Sequence, residues 1–379
     1  MKVLLSIHHC LNPNSGAPGA TYQLARNLET LGCAADILSM SQMRRGREDI
    51  RSHVVFPWFV YRHFALHPHY DVLDLSSGDG FILQRLSRTR RQLVVTRSHG
   101  LEHVAHLAQL ERARKGDLHL SWRYGLYHGG IRLWEVAESL RHADLCLFLN
   151  EGDRRFAVDQ LHVRQDATAI VDNGLPDSFL NLPISFERRT RLGDLRIALV
   201  GTYIDRKINV APAALHRLLS RHMGWSVGFF GTGVPEHEVR QKYAAELQPR
   251  IEVVESYRHD ELSSLLRGYD VLLFPSLSEG FGLVVYEAMA SGLAVVATRL
   301  PALTERLVDG EHALFVPPAD AEAMEAVLET LSADPNLLIR LQQAGYRRAQ
   351  TFAWSRVAKD TMAVYETAIS EKRARSLSK

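Results

Sequence analysis

Two glutamates with seven residues between them, Glu279 and Glu287, sit in the stretch FPSLSEGFGLVVYEAMASG that runs from Phe274 to Gly292. An apolar strand, 271–274, leads into a polar, glycine-bearing loop, and a helix carrying Glu287 follows. This layout suits the holding of a sugar joined to a nucleotide diphosphate. A helix amino terminus presents unpaired N–H groups and a partial positive charge to phosphate. Gly280 and Gly282 let the backbone come close to a ligand where a side chain would block it. A loop carboxylate at Glu279 can accept hydrogen bonds from sugar hydroxyls, and the two oxygens of Glu287 can accept both hydroxyls of a ribose. Were the whole stretch helical, the two glutamates would lie about 12 Å apart and about 80° apart around the axis. Glu279 is therefore expected ahead of the helix. The plain alternative is a pair of solvated surface glutamates, and the strand, loop and small-residue helix together weigh against it.

Such a site needs a scaffold, and the chain has room for two. At 379 residues it is long for one core. Short apolar runs alternate with helical patterns from end to end, which predicts α/β domains with parallel sheets. In the first half the expected strands are 2–8, 35–38, 72–75, 93–96, 144–149 and 169–171. In the second they are 196–200, 226–230, 251–254, 271–274, 294–297 and 313–316. The first helix is expected over 21–31, behind a turn-rich loop, 12–19, that carries Gly16 and Gly19. Residues 1–178 then form a first domain, 179–194 a linker and 195–355 a second domain. A last helix from 354 to 375 completes the pattern, and residues 356–379 are expected to pack towards the first domain.

Apolar content of 46% and charged content of 23% are ordinary for a globular enzyme. A net charge of +2 gives no footing for nucleic-acid binding. No run reaches the 18 or so apolar residues that span a bilayer, and the amino terminus moves straight into a strand without a signal-peptide pattern. Cys10, Cys33 and Cys146 are odd in number and set in apolar surroundings, so they read as reduced core residues of a cytoplasmic protein. No cluster of histidine, cysteine and carboxylate has metal-ligand spacing. Arginines gather at 44–47 and 85–91, and the aromatic run Phe56–Phe64 lies between them. Solvated helix ends and a buried helix explain these; the competing reading is peripheral contact with an anionic membrane face.

The segment around Glu279 and Glu287 resembles the donor-site motif of retaining, nucleotide-sugar-dependent glycosyltransferases of the two-domain GT-B type, in glycosyltransferase family four. The resemblance continues through Gly292–Thr298, Pro301–Glu305, Asp309–Gly310 and Ala313–Asp320. It is strong over residues 195–355 and weaker over the first 180. It implies two Rossmann-like domains facing each other across a cleft, with the last helix crossing back to the first domain. It also implies transfer of a hexose-type sugar from a nucleotide diphosphate, UDP- or GDP-sugars first, to a glycan, lipid-linked or small-molecule hydroxyl. No cofactor or metal is implied. By family frequency the acceptor belongs to bacterial polysaccharide or lipid-linked glycan synthesis.

Carried over residue by residue, the resemblance gives Glu279 the sugar and Glu287 the ribose. The amides around Gly280, Phe281, Gly282 and Leu283 would carry the diphosphate. Family members place a basic residue just after the glycine that ends the first strand of the second domain, and a lysine later. Here Thr202 stands at the first place and Lys207 at the second, so Arg206 is expected to supply the other charge. Gly233, in Gly231-Thr-Gly233, matches a turn that lines the donor pocket. His99, in a His-Gly-x-Glu run, is expected to face the transferred sugar, and Gly16 stands for the glycine-rich loop, which here lacks the family's adjacent pair. The His8-His9 pair reads as structural.

Three other readings compete. Val72–Gly80, VLDLSSGDG, looks like the glycine-rich loop of S-adenosylmethionine-dependent methyltransferases, but Ser76 replaces its first glycine and the next strand ends without an acidic ribose ligand. A nucleotide-sugar epimerase or a phosphorylase-like enzyme would keep the fold and change the reaction; such epimerases bring extra catalytic carboxylates, which the sequence leaves open. A donor-binding pseudoenzyme sits poorly with intact Glu279, Glu287 and His99.

Overall fold

The computed structural model describes residues 1–14, 16–43, 48–86, 91–114, 116, 118–186, 193–204, 207 and 211–377. It divides into two compact units, Met1–Gly174 with Trp354–Lys379, and Leu175–Ala353. The described part of the stretch expected as a linker, 179–186 with 193 and 194, groups with the second unit. There the Asn181 amide donates to Gln350 (2.7 Å) and the Tyr346 hydroxyl to the Leu182 carbonyl (2.9 Å).

The first unit is built on a six-stranded sheet of β1 (Lys2–Ile7), β2 (Ala34–Ser39), β3 (Val72–Ser76), β4 (Leu93–Arg97), β5 (Leu145–Phe148) and β6 (Thr168–Ile170), in the order β2-β1-β3-β4-β5-β6. The second carries β7 (Arg196–Val200), β8 (Ser226–Phe230), β9 (Ile251–Val254), β10 (Val271–Phe274), β11 (Ala294–Thr298) and β12 (Leu314–Val316), in the order β12-β11-β10-β7-β8-β9. Neighbouring strands run parallel in both sheets. Strands such as β10 and β11 are buried along their whole length, which parallel sheets covered on both faces require. Each sheet reverses its winding once, between β1 and β3 in the first unit and between β7 and β10 in the second. Open parallel sheets hold ligands at that reversal, beyond the carboxyl ends of the strands.

The first helix starts earlier than expected, spanning Gly16–Thr30. Gly16 is thus the first residue of a helix and not part of a loop. Pro18 is tolerated because it lies in the first turn, whose N–H groups have no intrahelical partner. Gly19 must stay without a side chain, since a Cβ there would meet the Pro13 carbonyl oxygen at 2.7 Å.

The last helix, Trp354–Leu377, belongs to the first unit and ties into its sheet through charge. Asp74 on β3 is buried, and its carboxylate accepts two hydrogen bonds from Arg97 on β4, at 2.9 and 2.7 Å. The Tyr365 hydroxyl on the last helix donates to the same oxygen. Burial alone would weaken the Arg97 charge, yet the Asp74 carboxylate more than offsets this and holds the guanidinium protonated.

Candidate active site

In the second unit, the loops that leave β7 and β10 lie side by side at the winding reversal. Lys207, after β7, places its ammonium 3.5 Å from Glu279 Oε1, after β10. The Ser276 hydroxyl donates to the same carboxylate oxygen at 2.8 Å, so Glu279 is held from two sides. Glu279 lies in the loop ahead of the helix Leu283–Ala290, as the facial mismatch predicts.

The helix opens at Gly282, whose φ of +80° lies in the left-handed region. Glycine is required there for a second reason, because a Cβ would stand 2.9 Å from Leu303 Cδ2. The helix start has no side-chain cap, which leaves its first turn to offer N–H groups to an anion. Phe281 does not turn its ring to the loop surface. Only 3% exposed, it stacks on Tyr286 with centroids 4.8 Å apart, while Arg306 lies over its face at 5.1 Å. Its contribution to any ligand is therefore its backbone.

Glu287 sits inside the helix, buried, and its Oε1 is 2.7 Å from His259 Nε2. Burial works against charge on His259, but the Glu287 carboxylate, by hydrogen bond and by charge, lifts its pKa above the ordinary 6.5. Tyr257, two residues before, has its hydroxyl pushed up by burial and by Glu287. Sequence reading missed His259 and Ser276. One histidine among 18 carries no signal of its own, and a loop serine three residues before a glutamate is common.

The His259–Glu287 pair makes a prediction about pH. A raised histidine pKa gives stability that is complete below the unfolded value of 6.5 and is lost as pH rises through the folded value. The second unit is therefore expected to melt at lower temperature as pH goes from about 6 to about 9. His259→Gln should flatten that slope, which calorimetry across the range checks. A slope unchanged by the substitution would remove the pair from the account.

The turn after β8 joins the same edge. Gly233, with a φ of +65°, has Thr202 Cγ2 3.7 Å from where its Cβ would stand, and the Tyr203 amide donates to the Thr232 carbonyl at 2.8 Å. Thr202, Gly233, Lys207, Glu279 and the helix start thus come from three strand-ending loops of one sheet. Arg206 lies outside the described residues.

His99 belongs to the first unit, just beyond β4. Burial, with Arg97 next, pushes its pKa down to about 3, so the ring is neutral. Its Nδ1 is buried with no hydrogen-bond partner, beside a small cavity lined by Ser6, Asp74, Ser76, Arg97 and Asn173. Gly16 lies in the same unit, at the head of its first helix. The methyltransferase-like segment Val72–Gly80 forms β3 and the turn after it, where Gly78 makes room for a side chain. A Cβ there would meet Arg132 Nη1 at 2.8 Å. Among the described residues no group of three histidine, cysteine or carboxylate side chains could hold a metal ion.

Two parallel sheets of this winding, each in its own Rossmann-like unit with the last helix returned to the first, define the GT-B fold. Residues 194–334 match the family model described as glycosyl transferases group 1. It is 49% identical over 113 residues to the MMP α-(1→4)-mannosyltransferase of Mycolicibacterium hassiacum, covering 29% of this chain and 28% of that one. The chain spans less than half the length of each of the first curated relatives it matches. Sucrose-phosphate synthase from Thermosynechococcus elongatus shares the fold with a TM-score of 0.75 at 21% identity, covering 98% of this chain and 99% of the other. Anabaena HepE, solved in complex with UDP, has a TM-score of 0.70 at 16% identity, covering 97% of this chain and 100% of its own.

Proposed function

We propose that the protein is a retaining glycosyltransferase that moves a hexose-type sugar from a nucleotide diphosphate to an acceptor hydroxyl. One observation carries the reading: Lys207 and Glu279 meet at the winding reversal of the second unit, directly ahead of an uncapped helix that contains Glu287. A cation, a helix start and two carboxylates in that order match a diphosphate flanked by a sugar and a ribose. The family match over 194–334 supports it, as does the UDP bound by HepE. Nothing in the comparisons points to an epimerase or a methyltransferase.

In this proposal Lys207, Arg206 and the amides of Gly280 to Leu283 take up the negative charge that grows on the departing diphosphate. Glu279 holds the sugar and stabilises its oxocarbenium-like character. Glu287, oriented by His259, accepts the ribose hydroxyls, and Thr202 and Gly233 line the pocket. Neutral His99, whose free nitrogen can accept or donate a hydrogen bond, is the first unit's candidate for a hydroxyl of the transferred sugar. The acceptor oxygen bonds to the anomeric carbon on the face from which the diphosphate leaves, and its proton passes to the departing phosphate oxygen. No metal or organic cofactor takes part.

The acceptor in the proposal is a glycan or lipid-linked molecule, reached at the inner face of a membrane. The helix Ile50–Leu66 supports the peripheral contact: it buries Phe56, Val60 and Phe64 but leaves Trp58 at 55% and Val55 at 49% exposed. The arginines at 44–47, and Ser87 to Arg90 within the second cluster, lie outside the described residues. No helix among the described residues is long and apolar enough to cross a membrane.

Calorimetric titration with UDP and GDP tests the donor site. One of the two should bind, and Glu287→Gln should weaken it by about 10- to 100-fold, the loss of hydrogen bonds to a charged group. Affinity untouched by Glu287→Gln would remove the ribose assignment.

A further inference from the structure

The loop that carries His99 is pinned along its backbone but not at its ring. The Ser98 amide donates to the Leu147 carbonyl at 2.8 Å, and the Gly100 amide turns back to the Ser98 hydroxyl at 3.3 Å. Gly100 has a φ of +131°, and the Leu101 amide donates to the buried Asp153 carboxylate at 2.9 Å. These anchors set the place of the imidazole and leave its tautomer to the ring nitrogens. In a neutral histidine one nitrogen donates and the other accepts, and the partner of one fixes the role of the other.

His99 Nδ1 is buried and makes no hydrogen bond within the chain. It shares a small cavity with Ser6, Asp74, Ser76, Arg97 and Asn173. Ser76 ends β3 and is 1% exposed, and its hydroxyl is the other group of this lining that is buried without a partner among the described residues. Its neighbours are engaged. The Ser6 hydroxyl donates to Asp79 at 2.8 Å and accepts from the Ser76 amide at 3.1 Å, and Arg97 spends two bonds on Asp74. The next residue, Ser77, is held at a φ of +46°, strained for a residue with a side chain, and its amide donates to the Arg97 carbonyl at 2.9 Å. That turn fixes Ser76 against β4. The cavity has room for about one water molecule, and its polar lining supplies the partners a buried water needs. Leaving both groups unpaired is costly, and one bridging water satisfies both.

The direction of the bridge follows from charge. After burial itself, the Arg97 guanidinium acts most strongly on the ring and opposes its protonation. A lone pair turned towards a cation is more stable there than an N–H.

We infer that Ser76 is a positioning residue for His99: through one water in this cavity its hydroxyl makes Nδ1 an acceptor, which fixes the neutral ring with its proton on Nε2. The Ser76 hydroxyl donates to the water, and the water donates to Nδ1 and to the Asn173 side-chain oxygen. Nε2, not the buried Nδ1, is then the nitrogen that meets a sugar hydroxyl, and it meets it as a donor. The consequence for turnover rests on the transferase reading, while the state of the ring stands on the first unit alone.

Nitrogen-15 NMR on the full chain with labelled histidine, without any nucleotide, tests it. Couplings from the ring C–H protons show which nitrogen carries the proton, and His99→Gln assigns the signal by its loss. At neutral pH His99 should show a single tautomer, protonated on Nε2, and Ser76→Ala should turn it into a mixture of both. Asn173→Ala, which removes a second partner of the water, should do the same, and it carries the test if a thermal melt shows Ser76→Ala unfolded. In donor turnover Ser76→Ala should lower kcat about fivefold with little change in KM for the donor. A parent ring protonated on Nδ1 or already mixed, or a tautomer indifferent to both variants, would overturn the inference. A shifted tautomer with kcat unchanged would overturn the positioning role. A shifted tautomer with no donor turnover in the parent would uphold the state of the ring and contradict the transferase reading instead.

Discussion

Glu279→Gln is expected to lower turnover by about 10²- to 10³-fold while nucleotide affinity changes by no more than a few-fold. The substitution keeps the shape and the hydrogen bond from Ser276 but removes the charge. A sugar leaving a diphosphate gathers positive charge at its anomeric carbon, and only the transition state feels the loss of a nearby carboxylate in full. Lys207, which stands 3.5 Å from Glu279 and in the proposal holds the diphosphate, is left unchanged. Steady-state kinetics with a calorimetric Kd for the nucleotide separates the two effects. Loss of affinity equal to the loss of turnover would show that Glu279 holds the donor and does no more.

The largest expected effect on stability lies away from the donor site. Asp74→Ala leaves the Arg97 guanidinium buried without its carboxylate, with side-chain exposures of 1% and 8% for the pair. Stranding one partner of a buried pair costs about 3–5 kcal/mol. In a unit of this size that lowers its melting temperature by about 10 °C. The same substitution removes the acceptor for Tyr365, so the last helix should loosen with it. Replacing Asp74 and Arg97 together by leucine and methionine should recover most of the loss, since no charge is then left unpaired. A single substitution that melts like the parent would mean that water reaches Arg97 and the pair is not the tie described here.

The strands were legible because parallel sheets buried on both faces need unbroken apolar runs. Arg196–Val200, Ser226–Phe230, Ile251–Val254 and Val271–Phe274 carry the expected bounds. The first helix was misjudged at its start, since Gly16 and Pro18 look like loop residues although a first turn tolerates both. In the candidate site the local part was readable: strand, glycine loop, Glu279 and helix follow one another in sequence. What was not readable came from elsewhere in the chain. His259 reaches Glu287 from 28 residues away, and Arg132 meets His8 across 124. Contacts of that kind are set by the winding of the sheet and leave no spacing to recognise. The His8-His9 pair, read as structural, packs ring against ring, with His8 on the buried Asp79 carboxylate.

The central claim is tested most directly by nucleotide diphosphate release from UDP-, GDP- and ADP-sugars, measured with a chelator present. Slow release from one of these donors, abolished in Glu279→Gln, is the predicted result, and it identifies the donor at the same time. Silence across all of the donors would contradict the assignment of a sugar transferase and of every catalytic role placed on Glu279 and His99.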